Sequence, residues 1–462
     1  MKKLFKICFL MLSPFFVFSQ NNTFHSLIDT QFANISTDTS KFIIFNPNIY
    51  AVSSFNEESN ISNIFLLRAT LFSNVSNNLT ITSCFDYLAG KSNYLMQEYE
   101  DSLGVFPGFG TDDKRIQYNF RYQINKFIST DLGNGTQFIG NGYQSLLLSD
   151  IGSPYPYLRL TTKFGRVKYY NLYTSFINPY MIDFGRKKHS TIHYLDFAIS
   201  NNINIGVFES ILWQSKSEEL NKGYELAYLN PVIFYRPVEF SKHSSKGNAL
   251  MGLNFSAKFK IITLYGQFLL DDLNISRQKD RDDNYEGGFF QNKYAYQTGL
   301  KGSIKGVNFL LEYNQVQPYT YGHRTILQNY SHMNQALAHP LGANFKEMIN
   351  ILELRKGKWR YKIKTMFTIV GLDSLDSHYG QDIFTSDNDA STGGQYSYGN
   401  FNGQGIKTTI FSFQPEVSFS IKQFDIFGKL YYRNKKSDYS DQSLLFYSVG
   451  FRTFPFMNIL DY

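Results

Sequence analysis

Segments about ten residues long, in which outward-suited and inward-suited side chains alternate one by one, recur along most of this chain. Ile116, Tyr118, Phe120, Tyr122 and Ile124 alternate with Gln117, Asn119, Arg121 and Gln123. Tyr361, Ile363, Thr365, Phe367 and Ile369 alternate with Lys362, Lys364, Met366 and Thr368. Residues 294–301 and 307–314 follow the same rule. A period of two marks a strand with two unlike faces. Segments of this length match the roughly 9 to 11 residues that a tilted strand needs to cross a bilayer. Beyond the first twenty residues no apolar run reaches the roughly 18 residues of a membrane-spanning helix.

The pattern places strands near 42–54, 62–75, 77–88, 116–126, 128–138, 157–164, 166–176, 191–201, 203–213, 248–256, 259–270, 294–302, 306–317, 346–355, 358–371, 408–421, 424–433 and 444–454. Short turns fall at 164–166, 201–202, 302–306, 355–358 and 421–423. Long polar connections fall at 89–115, 139–156, 177–190, 214–247, 271–293, 318–345 and 372–407. Long and short connections therefore alternate, as in outer-membrane barrels with short periplasmic turns and long extracellular loops. The chain carries 44 Phe and 34 Tyr. A barrel would spend such rings on lipid contact and on two interfacial girdles. A large soluble sandwich or propeller would also bury rings, so the count alone does not decide. The expected fold is all-β: a single transmembrane antiparallel barrel of about 18 strands, with both termini periplasmic.

The first residues point to the same compartment. Lys2, Lys3 and Lys6 precede a mostly apolar stretch, Leu4 to Phe18, with small residues at Val17 and Ser19. That is a signal peptide over residues 1–19. Residues 20–41 are then a short periplasmic segment and 42–462 the barrel. Cys84 is the one cysteine outside the leader, so no internal disulfide or cysteine-based metal site is expected. The chain has 45 Lys and Arg against 38 Asp and Glu, three of the bases lying in the leader. This balance is too mild for a nucleic-acid partner. The aromatic-rich final strand and the terminal Asn458 to Tyr462 suit recognition by barrel-insertion machinery, and outer-membrane lipid is the expected surroundings.

Three stretches carry a family resemblance: Gly140 to Asp150 with Pro154 to Phe164, Tyr228 to Phe240, and His339 to Glu347. They resemble the Wzi-type capsule-assembly family of outer-membrane proteins, especially its Bacteroidetes branch, which includes members linked to gliding motility. The resemblance implies an 18-stranded barrel that binds and retains surface polysaccharide. Enteric members also carry an N-terminal helical bundle that plugs the barrel. Residues 20–41 are too few and too polar for one, so any plug here has to come from folded-in loops.

Candidate sites follow from residue chemistry. The loop 318–345 holds Tyr319, Tyr321, His323, Arg324, Tyr330, His332 and Asn334. Aromatic faces stack on sugar rings, and Arg, His and Asn bond hydroxyls and carboxylates. The other reading of the same loop is a self-packed cap. In loop 214–247 the apolar stretch Leu226 to Tyr235 suggests a segment folded into the barrel or across its mouth, with Arg236 and Glu239 as an ion pair or, second, as ligand contacts. By parity the lumen face would hold Arg121, Arg159, Lys163, Lys168, Lys301, Lys362, Lys364, Lys429, Arg433 and Arg452 against Asp131, Glu312, Glu416 and Asp425. Such a lining favours anions.

Other groupings carry less. Asp280, Asp282, Asn284 and Glu286 lack the spacing and glycine of a calcium loop. His189 and His193 do not meet on a strand as they would on a helix. The Gly133 and Gly140 repeats lack the strand–helix context of a nucleotide loop. No metal, cofactor or catalytic group is expected, and the chain is not read as an enzyme. The leading expectation is an outer-membrane protein that binds surface or extracellular polysaccharide, linked to capsule assembly, gliding or adhesion. The alternative is a porin or transport channel for small solutes.

Overall fold

A computed structural model of the chain describes residues 24–26, 42–56, 61–180, 186–216, 223–231, 247–273, 287–374, 377–387 and 398–453. Residues 1–23 and 454–462 lie outside these ranges.

The first short strand is β1, Phe24–Ser26. The wall then begins with β2 (Phe42–Asn56), β3 (Ile61–Ser76), β4 (Leu79–Lys91), β5 (Lys114–Gln123) and β6 (Ile128–Gly135). After a three-residue strand β7 (Gln137–Ile139) come β8 (Tyr155–Phe164), β9 (Val167–Ile177), β10 (Lys187–Ala198), β11 (Ile203–Gln214), β12 (Asn248–Phe259), β13 (Ile262–Asp272), β14 (Lys293–Ile304) and β15 (Val307–Val316). Two-residue strands β16 (Ser331–His332) and β17 (Gln335–Ala336) precede β18 (Phe345–Lys356), β19 (Trp359–Leu372), β20 (Ile406–Ile421), β21 (Phe424–Ser437) and β22 (Asp441–Arg452). One helix, α1, spans Tyr94–Leu103.

All strands but β1, β7, β16 and β17 belong to one closed antiparallel barrel of 18 strands. It closes where β2 pairs with β22, from Tyr50 opposite Arg452 to Asn56 opposite Phe446. Closure leaves no free strand edge, which is what a sheet immersed in hydrocarbon requires.

Burial shows which way the strands face. On β5, Ile116 and Tyr122 are 56% and 46% exposed, while Gln117 between them is 1% exposed. On β19, Tyr361, Ile363 and Phe367 are exposed and Lys364 and Thr368 are buried. Apolar residues outside and polar ones inside is the reverse of a water-soluble core. This places the chain in the outer membrane.

The periplasmic turns are short. They include Gly165, with φ 56°, and Lys305–Gly306, with φ 50° and 85°. Most connections at the other end are long, as the alternation predicts. The connection 438–440 is a short extracellular exception.

Two details differ from the sequence reading. The strand expected over 128–138 leaves the wall at Gly135, and β7 turns inward. Loop 92–113 contains α1, which had not been expected. Its start is set by Asn93, whose side chain accepts a hydrogen bond from the Met96 amide, and its end by Gly104 at φ 68°. These are ordinary helix-capping devices.

Candidate functional site: a lumen filled by loops

Three extracellular loops turn into the barrel and meet there. The first carries α1, which lies against β21. Glu98 pairs with Arg433 at 2.6 Å and with Lys435 at 2.7 Å. Burial alone would push the Glu98 carboxyl up, but the Arg433 guanidinium and the Lys435 ammonium hold it below its ordinary value. Met96, Phe106 and Phe109 pack on Ile64 and Leu66.

The second loop, 136–154, is held by the opposite wall. Glu312 accepts the amides of Tyr143 and Gln144, at 2.6 and 3.0 Å, and the Tyr265 hydroxyl at 2.8 Å. Gln267 accepts the Leu146 amide at 2.8 Å and donates to the Ile139 carbonyl at 2.9 Å. Gly142 is needed here, because a Cβ would lie 2.4 Å from the Glu312 carboxylate and 2.8 Å from the Gln144 carbonyl.

The third loop, 317–344, bridges the other two. The hydroxyls of Tyr321 and Tyr330 donate to the carbonyls of Leu146 and Leu147, both at 2.8 Å. Asn334 donates to the Leu103 carbonyl at 2.6 Å. Lys188 on the wall donates to Asn329 and to Ser331. His332 sits between the end of β9 and the second loop. Its Nδ1 accepts the Ile177 amide at 3.0 Å, so Nε2 carries the proton and donates to the Pro154 carbonyl at 3.1 Å.

No known family's sequence profile matches the chain, and no curated protein matches it either. Several solved barrels share its shape. They include Pseudomonas aeruginosa OprD, 10% identical over 88% of this chain and 94% of that one with a TM-score of 0.45. OpdK, solved with vanillate, is 7% identical over 88% and 97%, TM-score 0.48. OccK3 (OpdO) is 8% identical over 89% and 94%, TM-score 0.47. The expected kinship with the Wzi-type capsule-assembly family is corrected by these results. No profile or relative of that family matches, and the barrels found are of another kind.

The structure also repositions the residues expected to bind glycan. Tyr319, Tyr321 and Tyr330 are buried. The Tyr319 hydroxyl donates to the His378 carbonyl at 3.0 Å, and Tyr321 and Tyr330 stack on each other at 6.0 Å. Their rings and hydroxyls secure the plug and offer no open face to a sugar. His332 is buried, and Asn334 is tied to α1. His323 is half-buried and Arg324 exposed at the rim.

Arg236 and Glu239 lie outside the described residues. The described part of their loop does not enter the barrel as expected. Tyr224 and Tyr228 pack against Trp213 and Ile211. By parity with the inward Leu212 and Lys188, those two face out, so this segment covers the outer wall.

Inside, the bases fall into two groups. On one side each acid is shared by two arginines, and all four arginines are ion-paired. Asp86 is flanked by Arg68 at 2.6 Å and Arg115 at 2.7 Å, and Asp131 by Arg121 at 2.7 Å and Arg159 at 3.3 Å. On β19 to β22 the bases outnumber the acids. Arg360, Lys362 and Lys364 point inward in succession on β19. Lys362 lies opposite Glu416, and Glu416 opposite Lys429. Glu416 is already paired with Arg452, and with Arg360 at 3.3 Å. Lys362 and Lys429 are only half-buried although they face the lumen.

The sequence reading identified Lys362, Lys364, Lys429 and Arg452 but missed Arg360, Arg68, Arg115, Asp86 and Lys188. Arg360 has the same parity as Lys362, so the alternation already carried the signal. Among the described residues no group of His, Cys, Asp or Glu is arranged to hold a metal.

Proposed function

We propose that this protein is a narrow outer-membrane channel for small anionic solutes. The observation that carries the reading is the inward row Lys362, Lys364 and Lys429; of the acids beside it, Glu353 faces Lys362 from β18, and Glu416 is shared with Arg452 and Arg360. A row of bases along a low-dielectric wall raises the local concentration of anions and steers their entry. The folded-in loops narrow the bore, which suits small solutes over polymers. Retention of polysaccharide is the weaker reading, since three of the aromatic faces it would use are turned into packing.

Uptake of a labelled small carboxylate into proteoliposomes tests the proposal, with a neutral solute of similar size for comparison. Wild type should favour the carboxylate. The double variant Lys362→Gln/Lys429→Gln should lose roughly tenfold of that uptake and leave neutral uptake unchanged. Equal carboxylate uptake by wild type and variant would remove the assigned role of the lysines.

A further inference from the structure

On the outside of the barrel, at the extracellular ends of β14, β15 and β18, lies a hollow of about 420 Å³. Phe289, Phe290, Tyr294, Lys346, Asn400 and Phe401 form much of its wall, and no Asp or Glu is among the described residues that line it. The Phe345 ring is buried toward the lumen, so the period of two turns Lys346 outward. Lys346 has no hydrogen-bond or ion-pair partner among the described residues.

Height matters here. Two residues further down the same face is Met348, 42% exposed on the apolar band. At roughly 3.3 Å per strand residue it lies about 7 Å below Lys346. Tyr294 stacks on the outward-facing Phe268 at 6.4 Å. The ammonium group therefore sits just above the lipid-facing band, at the outer leaflet.

The hollow is built by backbone contacts independent of any ligand. Gly399 and Asn400 donate their amides to Gly287 and Gly288, at 2.7 and 3.0 Å. The Asn400 side chain donates to the Gly288 carbonyl at 2.9 Å, and Gln315 donates to Asn402 at 2.7 Å. Gly288 takes a φ of 59°, and a Cβ there would lie 2.5 Å from the Asn400 carbonyl, so the two loops meet closely only through glycine. A cation in a preformed, aromatic-walled hollow at headgroup level, with no acid among its described lining residues, fits a phosphate next to an apolar anchor.

We propose that this hollow binds the phosphate-bearing headgroup of an outer-leaflet lipid, with Lys346 pairing with the phosphate and the acyl chains lying along Met348 and Tyr296. The site is on the outer surface and does not depend on the channel reading.

The test is native mass spectrometry of the full chain in non-ionic detergent, titrated with diphosphorylated lipid A. Parallel arms use the dephosphorylated lipid and inorganic phosphate as competitor. Wild type and Lys346→Arg should hold one lipid, and Lys346→Glu should hold it roughly tenfold more weakly. The dephosphorylated lipid should bind poorly, and inorganic phosphate should not displace the lipid. Heat-modifiable gel migration confirms that each variant is a closed barrel. If Lys346→Glu fails to assemble, Lys346→Gln carries the test. Undiminished binding by the folded variant, equal binding of the dephosphorylated lipid, or displacement by inorganic phosphate would each overturn the proposal.

Discussion

Asp86 shows how the wall handles charge at the level of single residues. It faces Arg68 across one strand pair and Arg115 across the next, and all three are buried. Each guanidinium bonds the carboxylate, Arg115 through both Nε and Nη2. Removing the acid would leave two buried cations facing each other. Asp86→Ala should therefore cost about 3–5 kcal/mol, read as a drop in the temperature at which the barrel loses its compact gel migration. A variant that melts with wild type would show that water or a loop group neutralises the arginines. Part of this triad was within reach of the sequence, because Arg68 and Asp86 stand in the strand segments the alternation marks and Arg115 lies one residue before the next. Which strand residues oppose one another depends on register, however, and the alternation fixes facing without fixing register. The inward placement of Tyr319 and Tyr321 was not legible, for another reason. Both adopt the left-handed region, at φ 66° and 70°, and no local pattern signals that a tyrosine will do so. Their inward course is decided by partners 175 residues away for Tyr321 and 59 for Tyr319.

Elements divide in the same way. Strands were legible because each carries its own two-faced pattern, as on β5 and β19. The inward fold of the loops was not, since the groups that hold them, Glu312 and Gln267 among them, sit on distant strands and look like ordinary lumen polar residues. Loop 317–344 also bears two histidines held neutral. Burial lowers His332 to about 4, with Lys188 nearby acting the same way. Burial and then Lys293 lower His323 to about 4. Freed from the plug, either imidazole would titrate near 6.5. The detached loop thus takes up protons more readily than the docked one. Its docking is at full strength above about 6.5 and weakens as the pH falls toward 4. Protonation of His332 at Nδ1 would also break its bond to the Ile177 amide. Hydrogen exchange across 323–332 should speed up between pH 6.5 and 4 in wild type, and the double variant His323→Asn/His332→Asn should lose that dependence. Exchange that stays flat with pH in wild type would contradict this account.

The whole molecule is a closed cylinder whose outer face is apolar and whose inner face is charged and filled by its own loops. Orientation follows from the short turns and long loops, and it is checked by cysteine labelling. Cys84 is buried and should stay silent. On intact cells an impermeant reagent should label Tyr439→Cys and leave Gly165→Cys unmodified, and the opposite result would invert the barrel. The most direct test of the central claim, an anion-conducting lumen, is the reversal potential of the reconstituted protein in a planar bilayer under a potassium chloride gradient. The account predicts a small conductance whose reversal potential lies toward that of chloride, moving toward zero in Lys362→Gln/Lys429→Gln. A reversal potential on the potassium side, or a folded protein that carries no current, would contradict it.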